Sequence, residues 1–580
     1  MPPTWSAGDL GRLSRTVIRL QPAQVAQRVR LRAQRMALKH SVPLADRWLL
    51  SGQDPAAGTG WPCGFTPLDA RLWCGGQDGI ALRAGVLRLI GASRVIAEAG
   101  EAGTPSWASA DWEAAGAPLL WRYHLYYWDW AWALASVHRD PDAQALFTAI
   151  WESWHSAVVP GRGSAWHPYP TALRAWSFCG IYRHLVQGSP IEVPFRGELA
   201  AHAGFLRRSL EMDVGGNHLI KNLKALAGLA VFFGDHTLLT KAINRVRRQI
   251  AVQVLPDGGH YERAPAYHCQ VLGDLMDLAG LLRATRQDEP AGLTEAIAAM
   301  RRWLGAVLTP QGDVPILNDG FPVSRELLAG IGPGAPPAGP LHMLPATGLT
   351  RITAGGWHVL ADIGAPCPRE LPAHAHADTL SCVVHVGAEP LIIDTGTSTY
   401  APGAARDRER STAAHNTVEV DRSDSTEVWG AFRAGRRARV LAVSAHADAG
   451  EVTVEAAHDG YRHLPGRPIH HRRWSVRSGE LRIDDTVTGR GRHHVTVRWH
   501  LAPGARLRLV PGGAAVATPA GEIGVTVTAT SEPAMTVATA QVSRGFGSTV
   551  TAPVLACTLH LELPVRISTV WRRAEPLQET

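Results

Sequence analysis

The chain has 580 residues, 45% of them hydrophobic and 19% charged, with a net charge of +7. That length is more than one core serves, so two or more domains are expected, and the composition is that of an ordinary globular protein rather than a disordered or fibrous one. The positive balance suits an anionic partner, but no Lys/Arg stripe coincides with a recognisable nucleic-acid-binding module, so nucleic acid is set aside.

The seven cysteines, Cys63, Cys74, Cys179, Cys269, Cys367, Cys382 and Cys557, are odd in number and form no CxxC, which excludes a disulfide framework. No run of about 18 apolar residues exists, so no membrane span is expected. The first residues contain no apolar core of signal-peptide length. As written the chain reads as cytoplasmic, and a misassigned start would leave the periplasm open. Tryptophan is abundant, 20 against 10 phenylalanines. Indoles stack well on sugar rings, although burial in a core is their commoner use.

In chain order, residues 13–39 are basic and helical in pattern, with Val25, Val29 and Met36 on one side. This reads as a helix docked on the body, and a membrane-surface helix is the sharper alternative. Residues 52–118 show little periodicity, and 1–118 are taken as a segment packed on a helical domain. From Leu119 the pattern is helical: LLWRYHLYYWDWAWALA carries aromatics on nearly every face, as a helix buried on most sides does. HPYPTALRAWSFCGIYRHLV follows, with Arg174 among apolar neighbours, where it either pairs with an acid or waits for an anionic ligand. Helices are expected over 200–212, 217–234, 236–253, 265–285 and 291–308. Short Gly- or Asp-containing turns join them, which suggests an array of helical hairpins over 119–330. Asn217 is placed to cap one helix and Pro265 to open another.

GIGPGAPPAGP falls in a linker assigned to 331–344. Beyond it, over 345–580, period-two segments such as WHVLADIG, EVTVEAA, ELRIDDTVTG and HHVTVRWHL follow one another without helical inserts, which argues for an antiparallel sandwich. In this half, His374 and His376 stand two apart at what reads as the start of a strand, so their rings would share a face. Leu391, Ile392 and Ile393 read as a buried strand ending in Asp394, and His415 follows. Two or three histidines and an aspartate brought together make a zinc set. Taken separately they are surface or core residues, and residue types leave both readings open.

The ordered set GGNHLIKN, DGGHYERAPAYH, HAHADTLS, IIDTGT and RSTAAHNTVEVD, from about Trp121 to the C-terminus, resembles the heparinase II/III-like polysaccharide lyases. The resemblance implies an N-terminal α/α toroid, an incomplete barrel of helical hairpins, followed by an antiparallel β-sandwich. It also implies β-elimination on a uronic-acid-containing polysaccharide in a cleft between them. Matched motif by motif, it makes Asn217 or His218 the group that neutralises the uronate carboxylate, Tyr267 the catalytic tyrosine and His374 the catalytic histidine. His376, Asp394 and His415 become the ligands of a structural zinc, and Arg174, Glu262, His268 and Arg410 are expected to bind substrate. Ala264 departs from the pattern, where a small hydroxyl residue is expected.

The chemistry fits these residue types. Elimination takes a weakly acidic proton from the carbon next to a carboxylate and expels the glycosidic oxygen. Donors on the carboxylate stabilise the developing charge, while Tyr267 or His374 acts as base and an acid reaches the leaving oxygen. Two other classes remain. A non-catalytic glycan-binding protein could keep the fold without the chemistry, and a cupin-type metal enzyme also places an HxH pair on strands but leaves the helical half unexplained.

Overall fold

The computed structural model describes residues 7–573 apart from 42, 45–46, 49–52, 73–75, 99–104, 136–139 and 449; Cys74 lies outside the described residues. The order of elements follows the change of period along the chain. Helices Leu119–Tyr127, Pro141–Ala157, Pro168–Ile181, Glu192–Ser209, Gly216–Phe233, His236–Gln253, Pro265–Ala284 and Leu293–Val307 succeed one another, and a short helix, Arg325–Ile331, ends the helical half. The turns are chemically specified. Gly234 is left-handed at φ 69°, and the Asp235 side chain then accepts from the Leu238 amide to open the next helix. This is an incomplete α/α toroid of helical hairpins. The one strand pair described in this half is the hairpin Val86–Leu89/Ala92–Val95.

After residue 340 the chain is strand. Every described pairing is antiparallel, in sheets of eight, five and four strands that form a sandwich and in a two-stranded pair, Val428–Trp429 with Arg433–Ala434. The eight-stranded sheet includes Glu451–His458, Ile469–Arg477, Glu480–Thr488 and Val565–Arg573 side by side. The only helix described in this half of more than one turn is Ala404–Arg410, two turns long. One apolar core fills the helical half and extends to Leu344, Leu349, Leu360 and Val383 on one face of the five-stranded sheet, while the opposite face, with Ile352, Val359 and Val384, joins a second core inside the sandwich. Alternation within single strands thus serves both cores and makes the seam between the halves apolar. Twelve of the largest fully buried side chains are tryptophans, so core filling accounts for most of that residue.

The N-terminal pair Ala7–Val17 and Pro22–His40 lies across this seam. Arg15 donates through Nε to Glu427 of the sandwich half at 2.8 Å, and Thr16 Oγ1 accepts from Trp429 Nε1 at 3.1 Å. The second helix turns to the toroid, with Gln27 Nε2 donating to the Leu210 carbonyl and Arg28 to Asp213, while Gln24 Nε2 reaches both the Asp213 and Glu370 carbonyls. The docked face differs from the one expected. Val29 and Met36 are 65% and 54% exposed, and the buried positions are Gln24, Leu31 and Leu38. Polar side chains bonded to loop carbonyls set this helix's rotation, against its weak apolar stripe.

A buried ion pair ties the sandwich sheets together. Arg472 donates through Nε and Nη2 to Asp485 at 2.7 and 2.9 Å, and its Nη1 donates to the Leu380 carbonyl. Burial pushes the Asp485 carboxyl up, but Arg472 and His470 hold it down at about 2. A depressed carboxylate contributes stability above its unfolded value of about 4, and that contribution disappears as the pH falls through the folded value. Asp485→Asn is therefore expected to lose about 3 kcal/mol at pH 6, the cost of leaving Arg472 buried without its partner. The gap to the wild type should close between about pH 4 and about pH 2, as read by urea unfolding across that range.

Candidate active site

Asn217, Glu262, Tyr267 and His374 come from three separate segments and meet at the seam. Gly215 and Gly216 carry φ of 74° and 56°, and a Cβ on Gly216 would lie 1.7 Å from Glu262 Oε1, so glycine is required for this approach. The helix starts at Gly216, with Gly215 at the cap position and no side-chain cap. Asn217 therefore does not cap its helix as expected. The free amides of the first turn are satisfied from the neighbouring turn: Gly216 N–H donates to the Tyr261 hydroxyl and Asn217 N–H to Glu262 Oε1, both at 2.8 Å. The anionic Glu262 at a helix N-terminus is also favoured by the helix dipole. Asn217 Nδ2 donates to Glu262 Oε2 at 3.0 Å, and its Oδ1 is buried without a partner.

Tyr267 sits in the first turn of Pro265–Ala284. Its N-cap is Ala264, which supplies no side-chain bond. The Tyr267 and His374 rings lie 4.0 Å apart at 31°, and the Tyr267 hydroxyl is 2.8 Å from the Tyr400 hydroxyl. His374 and His376 do not begin a strand: they lie in the loop before Cys382–Val386. Arg410 pins that loop, donating to the Ala375, Gly430 and Arg433 carbonyls. Its position, 1% exposed, makes it a scaffold for the loop rather than the substrate contact expected.

Asp319, unmarked in the sequence, is the hub. It is fully buried and accepts from His374 Nδ1 at 3.0 Å, His376 Nε2 at 2.9 Å and Arg406 Nη2 at 2.7 Å. Burial pushes its carboxyl up, but Arg406 and the two histidines hold it well below the usual range. His374 Nε2 also stands 3.3 Å from Glu262 Oε2. Burial lowers the His374 pKa, yet these two carboxylates raise it to about 9, and Glu262 in turn is held at about 2 despite its burial. His374 is thus an imidazolium with both nitrogens donating to carboxylates. Burial first, then Asp319, pushes the Tyr267 phenol up. His218 stacks on Tyr169 at 4.1 Å and meets the buried Glu211 through Nδ1 at 3.1 Å.

Two further expected substrate contacts lie elsewhere. Arg174 is fully buried in the toroid core between Trp154 and Trp166, donating to His202 and to the Tyr126 and Ala165 carbonyls. His268 stacks on Trp303 at 4.3 Å and is bonded to the Met300 carbonyl. Both are core residues: His268 is bonded through both ring nitrogens, and Arg174 keeps only its Nη2 without a partner. Glu262 underlies the site as a partner of Asn217 and His374.

Among the described residues, no three His, Cys, Asp or Glu side chains group closely enough to hold a metal as they stand. His415 donates through Nδ1 to Asp394 at 2.7 Å, and the His415 and His376 rings are 5.2 Å apart. Each histidine is thus oriented by a carboxylate, Asp394 for His415 and Asp319 for His376, and each keeps one buried nitrogen without a partner, His415 Nε2 and His376 Nδ1. Asp378 Oδ1 is also unpartnered, and Asp378 and Asp394 line a cavity of about 20 Å³. Neither histidine lines that cavity, so only the donor types, imidazole nitrogen and carboxylate oxygen, are those that zinc takes.

Two family models match the chain: "Heparinase II/III N-terminus" over residues 121–330 and "Heparinase II/III-like, C-terminal" over 336–567. A curated protein, FtsZ-localized protein C of Caulobacter vibrioides, is 27% identical over 419 residues, covering 68% of this chain and 71% of its own. Among solved structures, heparinase III superposes with a TM-score of 0.72 at 15% identity, covering 92% of this chain and 89% of the other. The heparan sulfate lyase HepC of Pedobacter heparinus gives 0.59 at 14%, covering 95% and 89%. At these identities the structural likeness carries the fold. No described helix is long and apolar enough to cross a membrane.

Because three cationic or donor side chains converge on Asp319, its loss should be felt by the whole seam. Asp319→Asn is expected to destabilise the protein by about 3–5 kcal/mol, the range for breaking a buried charge pair. Urea unfolding checks this, and a variant as stable as the wild type would remove Asp319 from its central place.

Proposed function

The chain belongs to the heparinase II/III-like family, and on that footing we propose that it cleaves a uronic-acid-containing polysaccharide by β-elimination, with Tyr267 as the proton-transfer group. The observation that carries this reading is the stack of Tyr267 on His374 at the seam, with His374 locked between Asp319 and Glu262. A histidine whose nitrogens both donate to carboxylates has no lone pair for a proton, so His374 supplies positive charge and Tyr267 does the transfer. Tyr267 acts from its ionised form, and its phenolate oxygen takes the proton from the carbon next to the carboxylate. The electrons of that bond form the double bond, the bond to the glycosidic oxygen breaks, and the leaving oxygen takes a proton from Tyr267. His218, half-exposed and oriented by Glu211, is the donor left to meet the substrate carboxylate. Asn217, its amide turned to Glu262, offers Oδ1 to a sugar hydroxyl.

A second reading, a non-catalytic glycan-binding protein of the same fold, draws on one observation: Tyr267 and His374 are each only 8% exposed. The two readings separate in one assay. Against a panel of uronate polymers, the wild type is expected to release products absorbing in the ultraviolet from their new double bond. Tyr267→Phe, which removes only a hydroxyl, should fall by about 10² or more at unchanged stability. A wild type that binds a polymer without releasing such products would favour the second reading.

We also propose that a zinc ion is held by His376, Asp394 and His415, on the strength of the unpartnered buried nitrogens of the two histidines and the Asp394 carboxylate beside His415. The metal would supply rigidity, fixing the loop that carries His374. Purified protein is expected to contain one zinc per chain, and His415→Ala should lose it and melt at lower temperature. Metal analysis of both proteins with parallel melting curves checks this.

A further inference from the structure

The sequence offered one tyrosine for the chemistry, and the structure holds a second against it. The Tyr400 hydroxyl lies 2.8 Å from that of Tyr267 and donates to the Asp319 carbonyl oxygen at 3.2 Å. The Tyr400 ring is held on several sides, by Phe546 at 4.8 Å, Phe432 at 5.4 Å and the Arg406 guanidinium at 5.1 Å over its face. Phe546 comes from the turn between Ala534–Gly545 and Ser548–Glu562, where Gly547 N–H donates to the Ser398 carbonyl. The sandwich half therefore fixes Tyr400, and through it the oxygen of a tyrosine borne by the helical half.

We propose that Tyr400 is the positioning residue of the elimination, fixing the Tyr267 oxygen and donating its own hydroxyl proton to that oxygen whenever Tyr267 is ionised. This rests on the reading of Tyr267 as the proton-transfer group. With Tyr400 donating to the Asp319 carbonyl, the neutral Tyr267 donates to Tyr400. Once Tyr267 has lost its proton, rotation of the Tyr400 O–H from the carbonyl to the phenolate is enough to supply a charge-assisted bond, with no movement of heavier atoms. Tyr400 keeps its own proton throughout. The proton from the substrate carbon goes to Tyr267 and thence to the leaving oxygen, so the cycle balances without a further acid.

The charged and titratable groups around Tyr267 show why such a donor matters. Asp319 and Glu262 oppose its ionisation, Arg406 favours it, the His374 imidazolium lies against its ring, and the phenols of Tyr127 and Tyr169 stand nearby. Burial is the largest influence raising the phenol, followed by Asp319, and the bond to Tyr400 is the largest influence lowering it.

The test is the pH dependence of kcat and KM, from about pH 6 to about pH 10, on a uronate polymer that the wild type cleaves. Tyr400→Phe keeps the ring and its packing and loses only the hydroxyl. Phe432→Leu disturbs the packing on Tyr400 and leaves the hydroxyl. For Tyr400→Phe the expected result is an unchanged melting temperature, a KM within about threefold of the wild type, and kcat reduced about tenfold or more near neutrality. Its ascending limb should be displaced to higher pH by about one unit or more, with kcat recovering at the alkaline end. Phe432→Leu should keep the wild-type limb. A Tyr400→Phe limb superimposed on the wild type, whatever its kcat, or an equal displacement in Phe432→Leu, would overturn the proposal and leave Tyr267 in place. A wild type that cleaves no uronate polymer would overturn both assignments together.

Discussion

The arrangement depends on a single buried charge, Asp319, facing three cation-forming side chains from the opposite half of the molecule. A carboxylate with no access to water is costly to keep ionised unless its oxygens are fully bonded. Here His374, His376 and Arg406 bond it, and all three belong to the sandwich half, whereas Asp319 lies in the loop between the helices Leu293–Val307 and Arg325–Ile331 of the helical half. The apolar seam brings the halves together, but hydrophobic contact has no direction. The bonds to Asp319 fix the register in which Tyr267 meets His374 and Tyr400. Arg263 supports the same seam, donating to the Thr347 and Ala365 carbonyls, and Asp257 accepts from the Thr347 amide.

Much of the fold was legible in the sequence because local signals agreed with one another. The helices expected at 236–253 and 265–285 are found as His236–Gln253 and Pro265–Ala284, where Gly234–Asp235 and Pro265 punctuate the chain. The change to period two marked the sandwich. Errors arose where tertiary contacts outweigh a local pattern. HAHAD alternates like a strand, yet its backbone is a loop pinned by Arg410 and its histidines are turned to Asp319. The stripe Val25, Val29 and Met36 looked like the docked face, but glutamines bonded to loop carbonyls rotate it outward.

The candidate site was legible only in its chemistry-bearing types. Asn217, Tyr267 and His374 were visible because their motifs recur in order, and the structure brings them into one connected group. Arg174 and His268 looked identical in kind, polar residues among apolar ones. Their partners, Glu198, His202 and Trp303, are distant in the chain and unmarked, so no local signal separates a core residue from one facing a ligand. Asp319 escaped notice for the opposite reason. Asn318–Asp319–Gly320 reads as an ordinary turn, and Asn318 is indeed left-handed at φ 53°, but the turn is buried and its carboxylate points inward.

The N-terminal helical pair has a consequence for how the molecule is made. Arg15 and Glu427 are 412 residues apart in sequence. At a synthesis rate of about 5–20 residues per second, roughly 20–80 s separate the emergence of one from the other. During that interval the toroid can fold, while the first helix has no partner on the ribosome-bound chain. The strap across the seam therefore closes last, although it is translated first. A chain that stops short of the sandwich leaves the first helix, Ala7–Val17, without its partners Glu427 and Trp429 beside an otherwise finished toroid, a form that proteases and chaperones can recognise as incomplete.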